Sequence, residues 1–220
     1  MDYFLDTNVE LGYVFCTDPW NTPAIIVFDS KDRLHYSDNV DKEFQKNLII
    51  FSKQQKYFFY SVAEELEYLG LRNIGYNEFN SIGLSVEFND FAENKKESCL
   101  KLLWDIANKK KKDKIKVKVL IREIMSFSRN FEHFLLKRKI AFEGKVMFHK
   151  RDEDYLEIFE ELKNLGIHEE DNNIILDAHD LAITQSLNLD FVTSDNAVYK
   201  LPQQVSKLNI NEFLHLRDFK

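Results

Sequence analysis

Apolar positions along this chain fall into two kinds of run. Near the start, Tyr3, Phe4 and Leu5 stand together without period-2 alternation and stop at Asp6. Near the end, Leu189 to Thr193 does the same and stops at Ser194-Asp195. Short runs without alternation predict strands covered on both faces, as in the middle of a parallel sheet. Arg33-Leu34-His35-Tyr36-Ser37 predicts a third strand. The other runs repeat at helical spacing. Val40, Phe44 and Leu48 predict a helix that opens after Ser37 or Asn39. Phe58, Val62, Leu66 and Leu69 line a helix over residues 57–71, and Leu100, Leu103, Trp104 and Ala107 one over 98–108. Val119, Leu120, Ile124, Phe127, Phe131, Phe134 and Leu135 line a long one over 115–139.

Between these elements the pattern is weaker. Residues 9–15 predict a first helix, followed by turn signals at Asp18, Pro19 and Asn21. Pro23 suits the first position of a second helix through Phe28, although Ile25-Ile26-Val27 also fits a strand. Residues 72–94 hold most of the turn-forming residues. A helix over 153–165 is stopped by Gly166, and the next opens among the acids of 167–171. Lys200-Leu201-Pro202 reads as a break. Residues 206–210 then suit a last edge strand, with Asn211 capping a short terminal helix. Strands separated by helices imply right-handed crossovers. The fold class expected is α/β, with a mainly parallel central sheet and flanking helices. Residues 1–220 form a single domain, its core at about 1–52 and 151–220 and an all-helical insertion at about 53–150.

Composition narrows the function. With 44% hydrophobic residues, 19 Phe, 3 Pro and 6 Gly, the chain has a full core and is not disordered. Cys16 and Cys99 have neither metal-type spacing nor a disulfide framework, which fits a reducing cytosol and a cytoplasmic location. Asp2 and Asp6 interrupt any secretory segment at the start. No apolar run approaches the roughly 18 residues of a membrane span, so no membrane partner is expected. A net charge of −7 argues against broad nucleic-acid coating but allows an acidic metal site beside a basic patch. His149, His168 and His179 form no HxxxH or HExxH pattern, which argues against zinc. There is no Gly-rich phosphate loop and no nucleophile elbow. The lysines of 109–114, with Lys116 and Lys118, form either a solvated loop and helix start or a guide for an RNA backbone.

The acids carry the candidate chemistry. Ligands of open parallel sheets bind at the carboxyl ends of the strands. Asp6 and Asp195 stand at two such ends, although Asp6 also suits a helix cap. Leu5-Asp6-Thr7-Asn8 is the first of three motifs. Asp171 with Ile174, Ile175, Ala178, Leu181 and Ala182 is the second, and Phe191-Val192-Thr193-Ser194-Asp195 the third. Together they resemble the PIN-domain family of metal-dependent ribonucleases. The resemblance covers roughly residues 1–50 and 165–215 and leaves the middle of the chain unmatched.

The resemblance implies a Mg²⁺- or Mn²⁺-dependent endoribonuclease acting on single-stranded or loop RNA through metal-activated water, without a covalent enzyme intermediate. It places the first acid at Asp6, the second at Glu43 and the fourth at Asp195. Thr193 would hold the loop and Asn8 would support the ligands from behind. The third acid is Asp171 or Asp177. Asp171 heads the apolar stripe of its helix, whereas Asp177 has the spacing from Thr193 seen in short toxin-type members. Asp180 shares a face with Asp177 and is a candidate fifth acid or part of a solvated face. The partner implied is RNA, with a second copy of the chain or a regulatory protein left open. The rival reading is a PIN-fold module that binds RNA or protein without cleavage. A phosphatase of another α/β family is disfavoured, because Asn8 stands where a DxD pair needs its second acid.

Overall fold

The computed structural model describes residues 1–70, 72–88, 91–201, 205 and 207–220. Its centre is a five-stranded parallel sheet in the order β5-β2-β1-β6-β7. These strands are β1 (Asp2–Leu5), β2 (Arg33–Ser37), β5 (Met147–His149), β6 (Leu189–Thr193) and β7 (Phe213–His215). β1 pairs with β2 from Asp2↔Arg33 to Phe4↔His35, and with β6 from Asp2↔Leu189 to Leu5↔Val192. It lies between two neighbours and is buried along its length, which explains why its side chains do not alternate in polarity.

Helices cover both faces of the sheet. On one face Tyr3, Leu5, Leu34 and Val192 pack with α1 (Thr7–Val14), α2 (Asn21–Asp29) and Phe142. On the other, Phe4 and Phe191 pack with α7 (Leu156–Asn164) and α8 (Glu169–Thr184). Gly166, at φ +83°, ends α7. Its N–H bonds Lys163 O at 3.0 Å, and the next N–H, of Ile167, bonds Leu162 O at 3.2 Å. This is the left-handed stop that glycine adopts without a Cβ penalty. It delivers the chain into α8.

The chain divides into two compact units. The first comprises 1–14, 20–47 and 138–220 and holds the five-stranded sheet. The second comprises 15–19 and 48–137. It contains α4 (Tyr76–Ser85), α5 (Glu93–Ala107), most of α3 (Asp38–Tyr68) and most of α6 (Val117–Glu143). Phe58, Phe59, Phe79, Leu100, Leu120 and Phe131 are buried in it.

Several expected elements differ from the observed ones. α3 is one continuous helix of 31 residues rather than two, because no Gly or Pro interrupts it. Leu69 is 43% exposed rather than inward, since the helix has ended before it. The middle of the chain is not all-helical: β3 (Asn73–Gly75) and β4 (Lys114–Lys116) pair antiparallel through Ile74↔Ile115. The last strand is β7 and not 207–210, and a 3-10 turn (Leu216–Asp218) follows it instead of a capped helix. β7 pairs Phe213↔Phe191, which buries an aromatic that the earlier segment lacks. The expected features at Leu71, Pro202 and Ser206 lie outside the described residues. No helix among the described residues is long and apolar enough to cross a membrane.

Candidate functional site

Parallel strands bring their carboxyl ends to one edge of the sheet. Asp6 follows β1, Ser37 ends β2, and Asp195 lies just beyond β6. The Asp6 N–H bonds Val192 O at 3.0 Å, so the ladder to β6 fixes its backbone. Its side chain is buried. Thr193 donates to Asp6 Oδ2 at 2.6 Å and Asn8 Nδ2 donates to the same oxygen at 3.2 Å. Thr193 Oγ1 also accepts from the Asp195 N–H at 2.9 Å. One threonine thus orients the first acid and the loop that carries the fourth. Asp195 caps the short helix α9 (Asn196–Tyr199), its Oδ1 accepting from Ala197 N and Val198 N at 2.5 and 3.1 Å.

Glu43 sits in the second turn of α3, because the helix opens at Asp38. Thr7 donates to its Oε2 at 2.8 Å, which ties α3 to the turn after β1. Asp171 lies in the first turn of α8, where acids favour the helix dipole.

Electrostatics joins these four acids. Burial, with the Asp171 and Glu43 charges adding, pushes the Asp6 carboxyl up to about 7, while the Thr193 and Asn8 hydrogen bonds oppose the rise. Burial, then the Glu43 and Asp195 charges, pushes Asp171 up to about 6. Clustered carboxylates raise one another in this way when nothing positive stands between them. The donor set is all carboxylate oxygen, the chemistry taken by hard cations such as Mg²⁺ and Mn²⁺. Among the described residues no group of three or more acidic, histidine or cysteine side chains is drawn together tightly enough to hold a metal ion. Asp171 and Glu43 act on Asp6 through their charges, and Glu43 and Asp195 on Asp171.

Asp177 lies elsewhere. It is 1% exposed, accepts from Asn39 Nδ2 at 2.8 Å and from Ser37, and its Oδ1 is 3.5 Å from Arg151 Nε. Asp180 is equally buried, with His149 Nε2 at 2.9 Å and the Tyr155 hydroxyl donating at 2.8 Å. Neither belongs to a solvated face. Both belong to a second polar cluster, below the ends of β2 and β5, where Ser37 and His149 are register partners.

A groove of about 240 Å³ beside Glu43 is lined by Asn39, Lys42, Lys46, Glu170 and Asn173. Lys46 pairs with Glu170 at 3.0 Å and Lys42 with Asp38. Sequence reasoning also passed over Glu10. It is fully buried in α1, and neither carboxylate oxygen has a hydrogen-bond partner among the described residues. Burial, with Asp41 and Glu143 adding and Lys139 opposing, holds its carboxyl well above the usual range. The available signal was a lone acid between Val9 and Leu11 in the otherwise non-polar stretch 9–15.

Compared with protein-family models, curated proteins and solved structures, the chain has no match.

Proposed function

We propose that this chain is a PIN-like ribonuclease that hydrolyses single-stranded or loop RNA with Mg²⁺ or Mn²⁺. The observation that carries the reading is the raising of Asp6 and Asp171 at the carboxyl edge of a parallel sheet, by burial first and then by neighbouring acids: Asp171 and Glu43 act on Asp6, and Glu43 and Asp195 on Asp171. A cation bound there would supply the Lewis acidity that activates water and offsets the charge developing on phosphorus. In this reading Asp6, Glu43, Asp171 and Asp195 hold the ion. Asp171, not Asp177, is the third acid, because the Asp177 oxygens already face Ser37, Asn39 and Arg151. Thr7 and Thr193 fix the rotamers of Glu43 and Asp6. Lys42 and Lys46 of the adjoining groove offer positive charge to the phosphates of the strand.

The test is cleavage of a mixed single-stranded RNA pool in Mn²⁺, Mg²⁺ or EDTA, by wild type and Asp6→Asn. The expected result is metal-dependent cleavage that falls at least about 100-fold in Asp6→Asn. Cleavage that survives EDTA, or is untouched by the substitution, overturns the reading. RNA retained on a filter without cleavage by folded wild-type protein makes the chain a binding module.

A further inference from the structure

The second unit contains a pocket of about 400 Å³ with basic walls. Lys109, Lys110, Lys112, Lys114, Lys116 and Arg122 line it. Between residues 109 and 123 the chain has eight basic and two acidic residues, in a protein whose net charge is −7. Arg122 is engaged by Glu123 at 2.8 Å. Among the described residues none of the five lysines has a carboxylate within ion-pair distance. These five lysines line the same pocket, with Glu123 the one acid among the described residues of its wall, so an anion that enters meets a net positive field.

The lysines are held in place by local structure. Asn108 Nδ2 donates to Lys112 O at 2.8 Å, and its Oδ1 accepts from Lys112 N at 2.9 Å. Lys111, at φ 48°, turns the chain through the left-handed region and is the one lysine of 109–112 that does not line the pocket. Lys114 and Lys116 are flanking positions on β4, exposed on either side of buried Ile115, and their register against Gly75 and Asn73 is set by the β3–β4 ladder. Ile106, Ala107, Ile115 and Val119 give the same pocket an apolar lining. Its volume lies within the about 300–1,000 Å³ of small-molecule sites. A bare phosphate has no use for apolar walls, and a flat membrane surface has none for a concavity. A nucleoside phosphate uses both, with lysines as point charges for phosphate and the apolar lining for ribose and base.

We infer that this pocket binds a nucleoside phosphate, either a free nucleotide or one nucleotide unit of an RNA strand. The inference does not depend on the acid cluster being catalytic, and its test reads binding alone.

The test uses the 220-residue Asp6→Asn chain in EDTA, so that no probe is cleaved. Fluorescence anisotropy with a labelled 5′-phosphorylated oligouridylate reports the strand, and calorimetry with ATP reports the free nucleotide. The pocket pair Lys114→Glu/Lys116→Glu is compared with Lys111→Glu/Lys118→Glu, which makes the same charge change in the same segment outside the pocket. The expected result is at least about a 10-fold loss of affinity in the pocket pair and no more than about 3-fold in the other. Loss with both probes assigns the pocket to free nucleotide as well as strand, and loss with the oligonucleotide alone assigns it to the strand. Equal losses in the two pairs, or none in either, overturn the inference. Pocket-dependent binding to phosphatidylserine vesicles with no nucleotide binding overturns it too.

Discussion

A buried carboxyl group is costly unless something pairs with it, and α8 carries two acids that differ in this respect. Asp177 has Ser37, Asn39 and Arg151 around it. Asp171 has Glu43 and Asp195, whose charges it resists. Removing each side chain should therefore give opposite results. Asp177→Ala takes an acceptor from Ser37 and Asn39 and a counter-charge from the half-buried Arg151, which keeps Asn173 as acceptor; it should cost about 1–3 kcal/mol of stability, with cleavage per folded molecule within a few-fold of wild type. Asp171→Ala removes only a repelled acid from a helix start. It should change stability by no more than about 1 kcal/mol and lower cleavage at least about 100-fold. Urea unfolding and RNA cleavage on the same preparations read both quantities. The reversed pattern would give the third-acid role to Asp177. Sequence left this choice open because it turned on where α8 begins. The helix starts at Glu169, two residues before Asp171, so Asp171 faces the strand ends from the first turn. Asp177 is claimed by Arg151, from a segment whose path depends on β5, and β5 has only three residues.

Among the elements, α4 and α5 meet at Gly83. A Cβ built there would stand 2.1 Å from Leu100 Cδ2 and 2.9 Å from Leu100 Cγ, and Leu100 is fully buried. Gly83→Ala should therefore overpack the α4–α5 contact and cost about 1–3 kcal/mol, even though alanine favours helix. Leu100→Ala alone should cost about 2–5 kcal/mol, and adding Gly83→Ala to it should cost little more. A full additive loss in urea titrations of the double variant would mean that the two residues do not meet. A steric fit of this kind is not visible in a hydrophobic pattern. What was visible were elements with strong local contrast. β2 was read at its observed bounds, and β1 and β6 were marked by dense apolar runs ending on acids. The three-residue strands β3, β4, β5 and β7 are shorter than the period-2 signal needs. The division expected at about residues 52 and 53 falls inside α3, where Lys53, Gln54 and Gln55 are good helix formers.

At the scale of the whole molecule, the acid cluster sets stability against binding. The Asp6 carboxyl rises from 3.8 to about 7 on folding, so between those values the native state holds more protons than the unfolded chain. Stability must then fall as pH rises through that window. The gap corresponds to roughly 4 kcal/mol for a fully buried group, with Asp171 acting in the same direction up to about 6. The net charge of −7 and pI near 5.5 add a general repulsion with the same sign. Asp6→Asn separates the two effects, because it keeps the general repulsion and removes the largest local one. Without divalent ions, the wild-type melting temperature should fall from pH 5 to pH 8 more steeply than that of Asp6→Asn. Only the part of the Asp6 window from pH 5 to about 7 falls within this range; it is worth about 3 kcal/mol, which at 220 residues corresponds to roughly 6–12 °C. Mn²⁺ should offset most of this fall. At pH 8 the ionised cluster binds it, and a concentration 100-fold above the dissociation constant adds about 2.7 kcal/mol. At pH 5 Asp6 and Asp171 hold protons, and Mn²⁺ should leave the melting temperature unchanged. Asp6→Asn should respond weakly at both pH values. Thermal melts of the two proteins at pH 5 and pH 8, with Mn²⁺ and with EDTA, decide the matter. Parallel slopes and an equal Mn²⁺ response in both would mean that the charge at Asp6 neither strains the fold nor recruits a cation.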